Sequence, residues 1–319
     1  MDYIRETRKF TTEKLAEIRD DIHRVLKKSK NREKITIVAT GSYGREEASS
    51  KSDIDHFIIY DADEAADDAI KVELEQIEAV IKQHVPERSG STGTFGKDAV
   101  IQFSEMKTNI GGEYDDNKSL TRRMLFLLEG TWLYGEDRFE RYQRSLLKRY
   151  MENSSEKAEL PRFLLNDVIR YYRTIATDFE HKVFEDGKEW GLRSIKLRFS
   201  RKILYFGGIL TIAEMADAGY RQWEERAIEL FGIPVLSRIE RLIDDRCGQE
   251  VLEIYDQFLA KISDPEIREA LKRVEKEERT QSEEYQTLRQ LSDDFSAKLS
   301  ECLDIKYSAD HSIHHALLF

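Results

Sequence analysis

The sequence predicts an α+β fold in which a small mixed-sheet domain is followed by an all-α helical bundle. Short runs of β-branched residues alternate with helical periodicity up to about residue 117, and beyond it the strand signal fades. The length of 319 residues is sufficient for two domains. We therefore expect a sheet-containing domain at 1–117, a helical domain at 118–303 and a C-terminal tail at 304–319.

Apolar spacing defines the elements of the first domain. The predicted order is a helix at 10–28, a buried strand at 35–39, a loop at 41–52, a strand at 54–60, a helix at 62–84, a flexible loop at 89–96 and a third strand at 99–103. In the second half the same spacing predicts helices at 120–133, 160–184, 191–218, 223–230, 234–263 and 265–303. A succession of helices joined by short connections is typical of a bundle.

Composition narrows the classes of function. The net charge of -11 argues against a general nucleic-acid binder, although a local basic pocket can still hold a small phosphate compound. The N-terminus lacks a signal segment, and the longest apolar run, at 203–212, is too short to span a bilayer. We therefore expect a cytoplasmic protein with no membrane partner. Cys247 and Cys302 are far apart, so neither a disulfide framework nor a cysteine zinc site is expected.

The most informative segment lies between the first two strands. Gly41 and Ser42 directly follow a strand, and backbone amides in such a turn can bind a phosphate group. Asp53 and Asp55 alternate with Ile54 at the start of the next strand, which sends both carboxylates to one face. Two neighbouring carboxylates repel each other, and a hard divalent cation such as Mg²⁺ or Mn²⁺ would stabilise them. Each motif alone would be an ordinary turn, but their combination is specific.

This combination resembles the signature of the DNA polymerase beta nucleotidyltransferase superfamily, in which Gly-Ser and Asp-x-Asp occur in this order. The longer pattern is similar to the nucleotidyltransferase domain of nitrogen-regulatory uridylyltransferases, through Gly44, Arg45, Glu47 and Ser52. The resemblance covers about residues 35–60. It implies two-metal transfer of a nucleotide from a nucleoside triphosphate such as ATP. We expect Asp53 and Asp55 to hold the metal. Ser42 and the adjacent backbone would hold the β- and γ-phosphates, with Arg45 or the basic helix at 192–204 adding charge stabilisation.

Two positions depart from the family pattern. His56 stands where an apolar residue usually follows the second acid. The third acid, which activates the attacking hydroxyl in this family, has no clear match; we choose Asp98, which precedes the predicted third strand. The loop at 111–117 offers three rivals, Glu113, Asp115 and Asp116.

Two basic segments are further candidates. Arg122 and Arg123 either lie near the triphosphate or are ordinary exposed residues of a capped helix, and the sequence does not decide between these interpretations. The helix at 192–204 is the densest basic segment of an acidic chain. We favour a role for its Arg193 and Lys196 in binding the triphosphate or an oligonucleotide product over simple ion pairing with surface carboxylates.

The acceptor is not specified by these residues. The domain order is similar to that of bacterial anti-phage signalling enzymes, which implies template-independent synthesis of a nucleotide or oligonucleotide signal. Alternatives are a nucleotidylating toxin or modifier of protein or RNA, and a non-catalytic nucleotide sensor. An effector protein or a second copy of the chain are possible partners.

The tail at 304–319 offers hydroxyl groups, of which Ser312 is our candidate for a self-nucleotidylation acceptor. The alternative, which we favour, is a tail that packs on the bundle or mediates dimer contacts.

Overall fold

The computed structural model describes residues 1–62, 69–85, 99–152, 154–184, 189–243 and 246–318. The chain divides into two compact units. The first, which we call the α/β unit, is Glu6–Glu152; the second, the helical unit, comprises Met1–Arg5 and Asn153–Phe319. The α/β unit thus extends past the boundary expected at residue 117, because a strand beyond that point completes its sheet.

The α/β unit is built on a four-stranded mixed sheet. Its strands are β1 Ile35–Thr40, β2 Asp55–Tyr60, β3 Val100–Ile101 and β4 Thr131–Tyr134. Its helices are α1 Asp2–Leu26, whose first residues belong to the helical unit, α2 Gly41–Gly44, α3 Lys71–His84, α4 Phe103–Thr108, α5 Asn117–Leu128 and α6 Glu136–Met151.

The strand order is β3-β2-β1-β4. β1 is antiparallel to both β2 and β4, whereas β2 and β3 are parallel. All six residues of β1 are buried, as expected for a central strand with both faces covered. One face forms a core with α1 and α3, and α5 and α6 pack against β1. The register pairs Thr40 with Asp55, so the end of β1 and the start of β2 lie side by side.

The prediction of a helix through residue 133 was wrong for its last residues. α5 ends at Leu128, and 131–134 form β4 on the edge of the sheet. Gly130 permits the change of direction, because a Cβ atom there would lie 2.4 Å from the carbonyl oxygen of Phe126. The following Thr-Trp-Leu-Tyr sequence favours an extended strand.

The helical unit contains nine α-helices within its described residues. After α6 they are α7 Arg162–Phe184, α8 Trp190–Lys196, α9 Lys202–Ala218, α10 Trp223–Phe231, α11 Val235–Leu242, α12 Arg246–Ser263, α13 Pro265–Lys272, α14 Glu283–Lys306 and α15 Ser312–Leu318. A π-helical turn, Leu197–Arg201, joins α8 to α9. No described helix combines the length and apolarity needed to cross a membrane. The predicted α+β class, with a small mixed sheet followed by a helical region, is confirmed.

The expectation that no disulfide framework exists must be corrected in one respect. A disulfide joins Cys247 on α12 to Cys302 on α14, although 55 residues separate them in the sequence. The two helices pack against each other, and this packing brings the two buried thiols together. Sequence distance was therefore a poor guide to their distance in space.

The tail forms a short helix that packs on α9. Ile313 and Tyr307 are buried, and the Tyr307 hydroxyl donates a hydrogen bond to Glu214 at 2.9 Å. His311 approaches Asp217 at 3.1 Å. The packed tail matches the alternative that we favoured from the sequence.

Candidate active site

The candidate site lies where β1 ends and β2 begins. Gly41–Gly44 form a single helical turn, α2, immediately after β1. Gly41 has a φ of 68°, in the left-handed region that glycine tolerates. A Cβ atom at this position would lie 2.9 Å from Oδ2 of Asp55. The glycine therefore allows the turn to approach the Asp55 carboxylate closely.

The negative charge of Asp53 affects a residue of the same turn. Asp53 lies two residues before β2, and Asp53 and Asp55 are both half-buried. Tyr43, in the centre of the turn, is buried; this burial and the negative charge of Asp53 raise its pKa to about 12. The Tyr43 hydroxyl therefore stays protonated near neutral pH. The structure thus brings the Gly41–Gly44 turn together with both predicted acids.

A buried ion-pair network holds the turn from behind. The Arg45 guanidinium contacts Glu47 at 2.8 Å and also bonds the Glu129 carboxylate. All three residues are buried. Glu129 also accepts a hydrogen bond from the Gly41 amide at 2.9 Å. One carboxylate at the end of α5 therefore connects the first amide of the turn with the arginine that follows it.

Close backbone packing adds to this connection. A Cβ atom at Gly44 would lie 1.9 Å from the carbonyl oxygen of Glu129, so only glycine fits there without a backbone shift. Ser52 supports the loop before Asp53, because its hydroxyl accepts a hydrogen bond from the Ser49 amide at 2.9 Å. Sequence reasoning did not single out Glu129. The only signal was an acid next to Gly130, which is too common to indicate a role.

The residue after the second acid lies in the protein interior. His56 is buried, and its Nδ1 atom approaches the Ile54 carbonyl oxygen at 3.4 Å. Burial lowers the pKa of His56, so the neutral imidazole is favoured. Within the described residues its Nε2 atom has no hydrogen-bond partner. Alternation along β2 separates this side chain from that of Asp55.

Asp98, our candidate for the third acid, lies outside the described residues. Two of its rivals make structural contacts: Asp115 pairs with the fully buried Arg123 at 3.1 Å, and Asp116 caps α5 by accepting from the Ser119 amide at 2.7 Å. Glu113 is exposed. Across the described ranges, no group of three or more His, Cys, Asp or Glu side chains is arranged to hold a metal ion.

The two predicted basic segments differ in their surroundings. Arg123 also donates to the Tyr150 hydroxyl at 2.6 Å and to the Asn109 carbonyl at 3.1 Å, so it anchors the loop that precedes α5. Arg122 is half-buried, and burial lowers its pKa. Arg193 is half-buried and Lys196 exposed on α8 of the helical unit. Ser312 begins α15 in that same unit.

Comparison with known proteins supports the motif-based interpretation. No curated protein matches the chain. Residues 19–89 match the family model of the nucleotidyltransferase domain. This range includes β1, the Gly41–Gly44 turn and both acids at the start of β2. The part of the chain that carries the candidate site is therefore similar in sequence to the nucleotidyltransferase domain.

Proposed function

We propose that the protein is a metal-dependent nucleotidyltransferase that transfers a nucleoside monophosphate from a nucleoside triphosphate to a hydroxyl group. The observation that carries this proposal is the contact between the Gly41 turn and the Asp55 carboxylate, inside the segment that matches the nucleotidyltransferase family. A glycine turn that follows a buried strand and touches an acid suits a phosphate bound next to a cation.

The donor set fits Mg²⁺ or Mn²⁺. Asp53 and Asp55 offer hard oxygen ligands, and both side chains are half-buried rather than enclosed. Two carboxylates leave coordination positions for triphosphate oxygens and for a third acid, for which Asp98 stays our candidate. When bound, the divalent ions would neutralise the triphosphate and lower the pKa of the attacking hydroxyl.

The contacts of the Gly41–Gly44 turn indicate which of its groups can bind phosphate and which position the turn. The Gly41 amide already donates to Glu129, so we assign phosphate binding to Ser42 and the later amides of the turn. We predicted that Arg45 contacts the triphosphate. Its guanidinium instead lies between two buried carboxylates, which supports a positioning role for Arg45. Arg193 and Lys196 remain our candidates for additional phosphate contacts.

The proposed reaction is an in-line displacement. The acceptor hydroxyl oxygen forms a bond to the α-phosphorus while the bond from that phosphorus to the bridging oxygen breaks. Pyrophosphate leaves with the electron pair of that bond, and the hydroxyl proton passes to the third acid. The α/β unit contributes oxygen ligands from two acids and a fixed turn for the phosphates.

For the acceptor, we propose template-independent synthesis of a nucleotide or oligonucleotide signal, with a role in anti-phage defence. The order of a nucleotidyltransferase domain followed by a helical region supports this choice. Transfer of a nucleotide to a protein or an RNA is the second candidate. A nucleotide sensor without turnover is the third, and it predicts binding without product.

The test is turnover by the purified chain with labelled nucleoside triphosphates, Mg²⁺ or Mn²⁺, and no other macromolecule. We expect a new labelled product, and we expect Asp53→Asn and Asp55→Asn to abolish it while circular dichroism stays unchanged. Asp137→Asn makes the same charge change at an exposed position on α6 and should retain activity. Unchanged turnover in either acid variant would contradict the proposed mechanism.

Intact-mass spectrometry after the same incubation tests Ser312 as an acceptor. Self-nucleotidylation adds one nucleoside monophosphate to the mass, and this addition should vanish in Ser312→Ala. An unmodified mass from an enzyme that is turning over rejects the tail as acceptor.

A further inference from the structure

The helical unit has a cationic cluster at the π-helical turn Leu197–Arg201. Turns of this type insert an extra residue into a helix and frequently occur at functional sites. Here, Arg198 within the turn and Lys202 directly after it both approach α14. The Arg198 Nη1 atom lies 3.5 Å from the Ser292 hydroxyl, and the Lys202 amine bonds the Ser296 hydroxyl. The two serines are one helical turn apart on α14.

The charges of this cluster are incompletely balanced. Lys202 is half-buried, and burial together with the like charge of Arg198 lowers its pKa. The opposing carboxylate is Asp293, which lies 3.6 Å from Arg198 with 56% of its side chain exposed. An ion pair this exposed contributes little, because water screens both charges. Among the residues that the structure describes, the two cations are therefore held together against one well-solvated carboxylate.

Two tyrosines contribute to the same environment. The rings of Tyr172 on α7 and Tyr205 on α9 stack with centroids 4.8 Å apart and planes 20° apart. The charge of Arg198 acts on Tyr172, and that of the exposed Arg173 acts on Tyr205. Burial raises the pKa of both tyrosines, so their hydroxyls remain hydrogen-bond donors. Because both serine hydroxyls donate to carbonyl oxygens of α14, the cluster offers two cations and the two tyrosine hydroxyls as donors.

We propose that Arg198 and Lys202, which Ser292 and Ser296 position, form a phosphate-binding site of the helical unit with Tyr172 and Tyr205 at its edge. Guanidinium and ammonium groups beside hydroxyl donors are the set that recognises phosphate oxygens. The phosphates come either from a single-stranded nucleic acid or from a free nucleotide. Local positive charge permits this binding although the chain as a whole carries -11.

This inference does not depend on the proposed nucleotidyl transfer, because binding is measured without turnover. Fluorescence anisotropy of the full chain is recorded in EDTA with a labelled oligouridylate and, separately, with a labelled ATP. The test variant is Arg198→Gln with Lys202→Met, which removes both charges at similar volume. The matched control is Arg221→Gln with Arg246→Gln, which removes two exposed charges from the same unit.

We expect the test variant to bind at least one probe about tenfold more weakly or worse, with a reduced dependence on salt concentration. The control should bind both probes like the wild type. Weaker binding of oligouridylate identifies a nucleic-acid strand as the ligand, and weaker binding of ATP alone identifies a free nucleotide. Unchanged binding of both probes overturns the proposal.

Circular dichroism and the thermal midpoint establish that the test variant is folded. If it is not, Ser296→Glu provides the test, because it places a carboxylate beside Lys202 without removing either cation. This variant should also weaken binding about tenfold or more. Wild-type affinity of a folded Ser296→Glu protein for both probes would then overturn the proposal.

Discussion

Each unit of the molecule contains a polar network around one central charge, and the two networks are opposite in sign. In the α/β unit, the cation Arg45 lies between Glu47 and Glu129. In the helical unit, the anion Glu214 accepts from Arg226, from Lys306 at 3.0 Å and from Tyr307 at 2.9 Å. The first network holds the turn beside the acid pair, and the second holds the tail on α9.

The two networks differ most in their exposure to water. The side chains of Arg45, Glu47 and Glu129 are at most 7% exposed, whereas Arg226 and Lys306 retain about a quarter of their exposure. A buried charge that loses its partner cannot be solvated, but a half-exposed one can. The loss of a charged partner therefore has a much larger energetic consequence in the α/β unit.

The largest effect is expected from Arg45→Met. It leaves two buried carboxylates without their cation and should lower the free energy of unfolding by about 3–5 kcal/mol, measured by urea denaturation. The control is Arg149→Met, which breaks an exposed ion pair with Glu152 in the same unit and should cost less than about 1 kcal/mol. Equal losses in the two variants would show that burial does not distinguish them.

Breaking the disulfide tests how much a covalent link stabilises the helical unit, whose ion-pair network is the more exposed of the two. The sequence has only two cysteines, and both lie in the helical unit. Reduction, or Cys302→Ser, should lower the stability of that unit by about 2–4 kcal/mol, because the bond closes a long loop. The thermal midpoint with and without reductant measures this. A variant with serine at both positions should not respond to reductant. Two titratable thiols in the oxidised wild type would contradict the bond itself.

Gly44→Ala tests the packing between the turn and Glu129. The new Cβ atom would overlap a backbone carbonyl, and we expect a loss of about 1–3 kcal/mol with reduced turnover. Gly112→Ala is the matched control, because no atom lies within 4 Å of a Cβ there. Its denaturation curve should differ from that of the wild type by no more than about 0.5 kcal/mol. Similar curves for both alanine variants would remove the argument for close packing.

The smallest effect concerns Glu214 and pH. Burial raises the pKa of Glu214, but hydrogen bonds from Arg226, Lys306 and Tyr307 outweigh this effect. The pKa of Glu214 in the folded protein therefore lies below its ordinary value of 4.5. The unfolded chain therefore takes up this proton first, and the stabilisation, complete above pH 4.5, is lost as pH falls through the folded pKa. Glu214→Gln should flatten the acid limb of a stability-against-pH curve. An unaltered acid limb would assign that limb to other carboxylates.

Local sequence pattern accounted for the first half of the sheet and for the turn beside it. β1 and β2 begin within one residue of the predicted strands, because runs of β-branched residues depend on near neighbours. β4 was missed because its residues continue an apolar run, and only pairing with β1 makes them a strand. Glu129 and the disulfide share this property: their partners are distant in sequence, and periodicity contains no information about them.

The pairing of β1 with β4 also has a consequence for how the chain folds while it is being synthesised. Glu129, which lies just before β4, is 88 residues beyond Gly41. At ribosomal rates of about 5–20 residues per second, this interval lasts on the order of 4–18 s. Throughout it, one edge of β1 has unpaired backbone groups, and Arg45 lacks one of its two carboxylates. The nascent chain therefore passes through a period in which its most buried strand is an open edge, which a chaperone or a neighbouring chain can bind.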